Sequence, residues 1–203
     1  MNRFHQSLLV TAVLLAGAGG ASVSFAQADN ILFIDGGYAE MCASLATSVG
    51  EVDQVALTGS RLGVSSMEIC TKAIESGETT LDQRAASFNN RGVLWFGEGN
   101  YEAALQDFDA AVAINDELAQ AFINRGYTFI AMKRWPESIQ AFDKAMSLGE
   151  IPEADKVHYN RGIAKEETGD IRGAYFDYKT ASELNPVWEA PKAELSRFTV
   201  KKK

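Results

Sequence analysis

The chain has 203 residues, a formal net charge of −8 and a hydrophobic content of 46%. Four prolines and seventeen glycines are too few for a collagen-like or disordered composition, so we expect a globular protein of one or two domains. An acidic chain is repelled by phosphate backbones, which argues against a nucleic-acid partner.

The first residues have the pattern of a secretory signal peptide. Arg3 precedes an apolar stretch at residues 8–18, and residues 26–28 place alanines at the first and third positions of a cleavage site. A membrane span is the alternative, but it needs about 20 apolar residues and this stretch is shorter. We expect residues 1–28 to be removed after Ala28. The mature chain has no second hydrophobic stretch, so we expect it to be periplasmic or secreted and to have no membrane span.

Two cysteines, Cys42 and Cys70, follow the predicted leader. In an oxidising compartment an even number of cysteines favours a disulfide, and we expect one between them. Two buried thiols are the alternative. The chain has no CxxC motif, and after the leader it has a single histidine, His158, which makes a poor zinc site. We therefore expect neither a metal nor a cofactor.

Residues 29–84 contain two helical candidates. The apolar spacing predicts one helix over residues 38–48 and another over residues 67–74. Residues 50–63 between them have the composition of a loop, in which residues 52–58 could form a brief strand.

The following hundred residues contain three similar segments. Residues 88–92, 122–126 and 158–162 each end in Asn-Arg-Gly. The three glycines lie 34 and 36 residues apart, and the two extra residues fall near 149–152. Such a period indicates one structural unit repeated three times.

The positions around these glycines recur as well. Each unit has a turn before its second helix, at Gly99-Asn100, Lys133-Arg134 and Gly169-Asp170. The second helices are predicted to begin at Tyr101, Trp135 and Ile171 and to carry aromatic residues at Phe108, Phe142 and Tyr178. Small residues such as Gly92 and Ala104 would let the two helices of a unit approach closely, while the aromatic residues would fill the space between units. Residues 85–188 therefore resemble an array of tetratricopeptide repeats, whose period is about 34 residues, in a form common in bacteria.

The resemblance implies an all-α fold in which antiparallel helix hairpins stack as a short right-handed solenoid. Both ends of such an array need capping, because one repeat cannot bury its own apolar face. The C-terminal capping helix is expected over residues 191–200. The predicted divisions are an N-terminal helical cap with a degenerate half-repeat at 29–84, repeats at 85–118, 119–152 and 155–188, and a capping helix with a basic tail at 189–203.

The resemblance also implies a partner-binding groove lined by the first helix of each repeat. Its amide and aromatic side chains suit an extended peptide, because amides both donate and accept and aromatic rings offer contact area with few rotatable bonds. Asn90, Asn124 and Asn160 share one repeat position and are expected to form a ladder; the alternative is that they satisfy neighbouring helix ends. The predicted groove residues are Asn89, Asn90, Val93, Phe96, Gln120, Ile123, Asn124, Tyr127, Ile130, Lys156, Tyr159, Asn160, Ile163 and Glu166.

Cytosolic co-chaperones of this family hold a peptide C-terminus with a five-residue carboxylate clamp. Asn124 and Lys156 match two of the five positions. Asn89, Val93 and Asn160 stand where a lysine, an asparagine and an arginine are expected. Because two cations are absent, we expect a ligand other than a C-terminal carboxylate.

The three arginines that precede the repeat glycines are Arg91, Arg125 and Arg161. We expect them to pair with acids of the second helices, such as Asp107 and Asp177, rather than with a ligand. Exposed pairs of this kind contribute less than about 1 kcal/mol each.

Candidate catalytic residues are few. The chain has no GxSxG, HExxH or GxxxxGK[ST] motif, and His158 occupies a position that phenylalanine fills in the other two repeats. We interpret Asp107 and Asp109 as residues on solvated faces of a second helix, not as metal ligands. Glu166 and Glu167 are adjacent in sequence and do not share a helix face. We expect no catalytic residue.

The sequence thus favours a non-catalytic scaffold or adaptor of the cell envelope, which binds a peptide or partner protein in the groove. One alternative is an accessory subunit that docks on an envelope complex through its outer face. A less favoured one is an enzyme with its site in residues 29–84. The sequence leaves the oligomeric state open.

Overall fold

The computed structural model describes residues 23–25, 32–34, 37–47 and 65–198. The chain forms two compact units, residues 1–35 and residues 36–203. Most of the predicted signal peptide, the predicted loop with its brief strand, and the basic tail lie outside the described residues.

The first unit contains a two-stranded antiparallel sheet, which the sequence does not predict. Its strands are β1 (Val23–Phe25) and β2 (Leu32–Ile34), with Val23 opposite Ile34. Valine, phenylalanine and isoleucine favour strands, but three residues are too few to show the two-residue alternation that identifies a strand.

The described residues of the second unit, 37–47 and 65–198, form helices joined by short connections, as predicted. Two helices precede the repeats, α1 (Gly37–Thr47) and α2 (Ser66–Glu75). Three hairpins follow: α3 (Leu81–Gly97) with α4 (Tyr101–Ile114), α5 (Ala119–Ala131) with α6 (Trp135–Ser147), and α7 (Ala154–Glu167) with α8 (Ile171–Leu184). The last described helix is α9 (Glu189–Ser196). Each second helix of a hairpin begins at the predicted residue.

Polar side chains explain where several helices begin. The side chains of Ser65, Asn100 and Asp170 each accept a hydrogen bond from a backbone N–H three residues further on. Thr80 forms a capping box with Gln83, in which each side chain accepts from the other residue's backbone N–H. Caps of this kind stabilise a helix by about 1 kcal/mol each. The capping box explains why α3 begins four residues before the predicted start of the first repeat.

The turn inside each hairpin contains one residue in the left-handed backbone region. These residues are Gly99 (φ 76°), Lys133 (φ 57°) and Gly169 (φ 86°). Glycine adopts this region without steric cost, whereas a residue with a Cβ atom loses about 1 kcal/mol there. The second repeat therefore has the more strained turn.

The repeat glycines receive an aromatic ring from the second helix of the same hairpin. A Cβ atom added at Gly92, Gly126 or Gly162 would lie 2.5, 2.4 or 2.8 Å from Phe108, Phe142 and Tyr178, respectively. The expectation that these rings mainly fill the space between hairpins is therefore corrected: each also packs within its own hairpin. Gly92 accommodates the ring of Phe108, and Ala104 is fully buried.

The N-terminal cap is built on a disulfide between Cys42 of α1 and Cys70 of α2. Both cysteines are fully buried in an apolar cluster with Met41, Ile69 and Leu94, the last of which belongs to α3. The disulfide thus joins the two cap helices where they cover the first hairpin.

The C-terminal cap is α9, which starts two residues before the predicted Pro191 and ends at Ser196. Proline is tolerated in the first turn of a helix, so it need not mark the first residue. Phe198, just beyond the helix, packs against Tyr175 and Tyr178 of α8, with ring centroids 5.7 and 6.0 Å apart. The capping helix therefore covers the third hairpin.

Candidate functional site

The predicted groove is the face formed by α3, α5 and α7, which contact one another in that order. We call it the first-helix face. A pocket of about 90 Å³ opens on it between α3 and α5. The pocket is lined by Val93, Phe96, Phe108, Asn124 and Tyr127. Four of these are predicted groove residues; Phe108 was missed because it belongs to a second helix and reaches this face over Gly92.

The amides of the first-helix face form a network that differs from the predicted ladder. Asn124 donates to Asn89 over 2.8 Å and accepts from Gln120 over 3.1 Å. Asn89 in turn donates to Asn90 over 3.3 Å. Asn160 instead donates to the backbone carbonyl of Lys156 in its own helix. The predicted ladder is thus corrected to an amide network of the first two repeats. Asn160 does not join it, because its amide bonds a backbone carbonyl of its own helix.

Two predicted groove residues lie in the interior. Ile123 is 1% exposed and packs in a core cluster with Phe142 and Val157. Asn89, a member of the amide network, is 6% exposed. A partner cannot contact these side chains directly. Ile130, also predicted, is half-buried against the same core cluster as Ile123. These positions support the surface rather than form it.

The third repeat uses its predicted groove residues for internal contacts. Tyr159 packs on Trp188, with ring centroids 4.8 Å apart. Glu166 accepts a hydrogen bond from the Tyr178 hydroxyl and another from Arg197, both over 2.9 Å. Lys156 pairs with Glu153 of the same segment, and Ile163 is half-buried. Trp188 and Arg197 flank α9 directly, so the C-terminal end of the array engages this part of the face.

Tyr127 contributes a ring wall to the pocket and a polar atom that the fold leaves unsatisfied. Its ring packs edge-on against Phe142 at 5.4 Å. Its hydroxyl is buried and has no hydrogen-bond partner among the described residues. Burial raises the pKa of Tyr127, and the negative charges of Glu153 and Asp155 raise it further. The hydroxyl is therefore neutral at any physiological pH.

The arginines that precede the repeat glycines pair largely as predicted. Arg91 donates to Asp107 through two nitrogens, over 2.8 and 2.7 Å. Arg161 does the same to Asp177, over 2.8 and 2.5 Å. Asp107 and Asp177 are buried, so the interpretation of Asp107 as part of a solvated face is wrong. Its exposed neighbour Asp109 fits that interpretation.

Asp177 is the most heavily paired acid of the array. It accepts hydrogen bonds from Arg161 and contacts Lys165 at 2.8 Å and His158 at 3.0 Å. Burial alone would raise the pKa of this carboxyl, but the bonds from His158, Arg161 and Lys165 outweigh burial and hold its pKa well below the ordinary range. His158 therefore serves in an internal polar cluster rather than in an apolar packing position. No group of three or more candidate metal ligands occurs among the described residues.

The architecture is that of a helical repeat protein: stacked antiparallel hairpins with a cap at each end and a small pocket on one face. Across the described residues, no helix is long and apolar enough to cross a membrane.

The chain has the tetratricopeptide-repeat fold. No family model and no curated protein matches it, but solved tetratricopeptide-repeat domains are similar in structure. The second such domain of human RPAP3, in complex with the HSP70 peptide SGPTIEEVD, is 25% identical, with a TM-score of 0.54 over 60% of this chain and all of its own. The first such domain of Spaghetti (RPAP3), bound to the HSP90 peptide SRMEEVD, is 20% identical, with a TM-score of 0.52 over 57% of this chain and 93% of its own. YrrB, a repeat protein with an unusual peptide-binding site, is 22% identical, with a TM-score of 0.57 over 64% of this chain and 63% of its own.

Proposed function

We propose that this protein is a non-catalytic adaptor of the cell envelope that binds an extended peptide segment of a partner on its first-helix face. The observation that carries the proposal is the pocket between α3 and α5, which four residues predicted from the sequence line. Tetratricopeptide-repeat folds are in general interaction modules, and solved relatives in fold have peptides bound.

The pocket suits an apolar side chain of the bound segment. Val93, Phe96 and Tyr127 supply apolar walls, and a volume of about 90 Å³ is that of a medium-sized side chain rather than a cofactor. Beside these walls, Asn124 has one further N–H available after donating to Asn89, and an amide can bond an extended backbone. One anchored side chain with adjacent backbone bonds is a common way for a protein to hold a peptide.

The ligand should differ from the peptides of the two RPAP3 domains, which end in Glu-Glu-Val-Asp. Of the two residues that match the carboxylate clamp, Asn124 and Lys156, the lysine is paired with Glu153. The positions that carry cations in the clamp hold Asn89 and Asn160 here. A ligand with an internal apolar anchor therefore fits better than one with a terminal carboxylate.

The envelope location rests on the sequence pattern of residues 1–28 and on the Cys42–Cys70 pair. A disulfide persists in an oxidising compartment and rarely in the cytosol. N-terminal sequencing of the protein recovered from the periplasm tests this part, with Asp29 as the expected first residue. Recovery of the uncleaved chain from the cytosol would contradict it.

The groove itself is tested by Val93→Arg, which places a long charged side chain in the pocket. Val93 is half-buried, and arginine can extend toward solvent, so the fold should survive. Phe176→Arg is the matched control, because Phe176 is a large apolar residue of α8 that is 51% exposed. A crosslinked envelope partner retained by Phe176→Arg and lost by Val93→Arg supports groove binding.

The second candidate function is docking of an accessory subunit through the outer face. Phe176 and Ile171 of α8 are each 51% exposed, and such residues favour an interface when they lie close together. In the same experiment, a partner lost by Phe176→Arg and retained by Val93→Arg would establish this alternative and reject the groove.

A further inference from the structure

The three repeats differ at one buried position of the second helix. The residue sixteen positions after the repeat arginine is Asp107 in the first repeat, Ala141 in the second and Asp177 in the third. All three are buried. In the first and third repeats the aspartate accepts two hydrogen bonds from the arginine of its own hairpin. The second repeat has the arginine without this carboxylate.

Arg125 of the second repeat is consequently the one arginine of the three that has no buried carboxylate in its own hairpin. Its Nε lies 2.8 Å from Asp109 of α4, in an ion pair with a carboxylate that is largely exposed. That Nε is buried, and its N–H is not aligned for a hydrogen bond to Asp109. Arg125 therefore lacks the buried, doubly bonded carboxylate that Arg91 and Arg161 have, and a carboxylate from outside the chain would supply it.

A cleft of about 380 Å³ lies where the missing carboxylate would reach. Ala141 and Arg125 line it, together with Arg134 and Lys144. Two of these cations form cation–π contacts with phenylalanines. Arg134 lies 4.6 Å from the Phe129 ring centroid, and Lys144 lies 5.6 Å from the Phe122 ring centroid.

The charges that line this cleft favour an anion. Glu137 is the acid among the lining residues, and it pairs with Arg134 over 2.9 Å. Arg125 and Lys144 then remain as the cations that no lining acid pairs with. The cleft lies between α5 and α6 and shares no lining residue with the pocket on the first-helix face.

We propose that this cleft is a second binding site, which takes the carboxylate of a glutamate or aspartate side chain in an acidic segment of a partner protein. That carboxylate would lie against Arg125 where Asp107 and Asp177 lie against their arginines, with Lys144 as the second cation. Charge-assisted bonds between arginine and carboxylate are about twice as strong as neutral ones, and the guanidinium presents two parallel donors. The proposal is independent of peptide binding in the pocket.

The test uses the purified ¹⁵N-labelled protein and the arginine Nε–H region of its NMR spectrum, with the Arg125 signal assigned from Arg125→Lys. The probe is the peptide acetyl-Ala-Glu-Ala-Glu-Ala-Glu-Ala-amide, and its control has glutamine in place of each glutamate. The expected result is a saturable shift of the Arg125 signal with the glutamate peptide and none with the glutamine peptide.

Ala141→Asp supplies the carboxylate from within the chain, as in the first and third repeats. The variant should bind the glutamate peptide at least about tenfold more weakly, which corresponds to the loss of one charge-assisted bond. Ala141→Ser is the matched control and should bind as the wild type does. Lys144→Gln changes an exposed side chain and should weaken binding about threefold without affecting the fold.

The proposal would be overturned by an Arg125 signal that does not move at millimolar glutamate peptide, by an equal shift with the glutamine peptide, or by undiminished binding to both Ala141→Asp and Lys144→Gln. A shift that Val93→Arg abolishes would place the peptide in the first-helix pocket instead, and would also reject the second site.

Discussion

The first two repeats and the third share one hairpin architecture but use their first-helix faces differently. Between α3 and α5 the face keeps an open pocket with an amide network beside it. In α7 the corresponding residues pack on Trp188 or bond to Tyr178 and Arg197. A position in the repeat therefore fixes where a side chain points, while its neighbours determine whether it meets a partner or the end of the array.

The same division appears in the polar clusters. Asp107 of the first repeat has one arginine, whereas Asp177 of the third has Arg161, Lys165 and His158. Buried ion pairs thus stabilise the third repeat, next to the C-terminal cap. The disulfide-linked N-terminal cap stabilises the first repeat.

The largest effect is expected from Asp177→Ala. The variant leaves Arg161 and Lys165 without their buried carboxylate, and breaking a buried pair in this way costs about 3–5 kcal/mol. Asp107→Ala removes a single buried pair and should cost about 1 kcal/mol less. Urea unfolding measures both. Equal losses would show that the additional cations around Asp177 contribute nothing.

Reduction of the Cys42–Cys70 disulfide should lower the free energy of unfolding by about 3 kcal/mol, because the open chain gains loop entropy when it unfolds. Unfolding with and without reductant, together with thiol titration, checks this. An unchanged unfolding midpoint with two titratable thiols before reduction would show that the bond is absent.

Gly126→Ala should destabilise the protein by about 2 kcal/mol, because its Cβ atom would lie 2.4 Å from the Phe142 ring, which is fully buried and has little room to move. Gly77→Ala is the matched control, since nothing lies within 4 Å of its Cβ position. Gly162→Ala, with 2.8 Å to Tyr178, should cost less. A neutral Gly126→Ala would contradict the proposed packing of the rings on the glycines.

The smallest effect concerns pH. The pKa of Asp177 is lowered in the folded state, so its contribution to stability is complete above the unfolded pKa of about 4 and is lost as the pH falls through the folded value. Wild-type stability should therefore fall below about pH 4, and Asp177→Asn should lose less over the same range. Parallel pH profiles of the two proteins would contradict this account.

The sequence predicts the hairpins well because the repeat glycines and turn residues act locally. The starts at Tyr101, Trp135 and Ile171 follow from the turns that precede them, and the Cys42–Cys70 pairing follows from the count of cysteines. Thr80 and Gln83 have the sequence spacing of a capping box, and this local signal places the start of α3 before the predicted start of the first repeat.

The candidate site is predicted less completely, because it depends on contacts between repeats. The sequence places Val93 and Tyr127 on one face, but Ile123 turns out to be buried by residues of α6 and α7. No local signal indicates that Phe108 reaches the pocket, or that Trp188 and Arg197 contact the predicted groove residues Tyr159 and Glu166. These outcomes depend on how one hairpin stacks on the next.

The most direct test of the central contrast is photocrosslinking from two equivalent positions of the first-helix face. A benzophenone amino acid is placed at Val93, in the open pocket, or at Ile163, in the capped third repeat, and the cells are irradiated. We expect one protein to crosslink from Val93 and to be absent from the Ile163 sample. Crosslinking from Ile163 alone, or from neither position while Phe176 yields a product, would contradict a binding groove in the first two repeats.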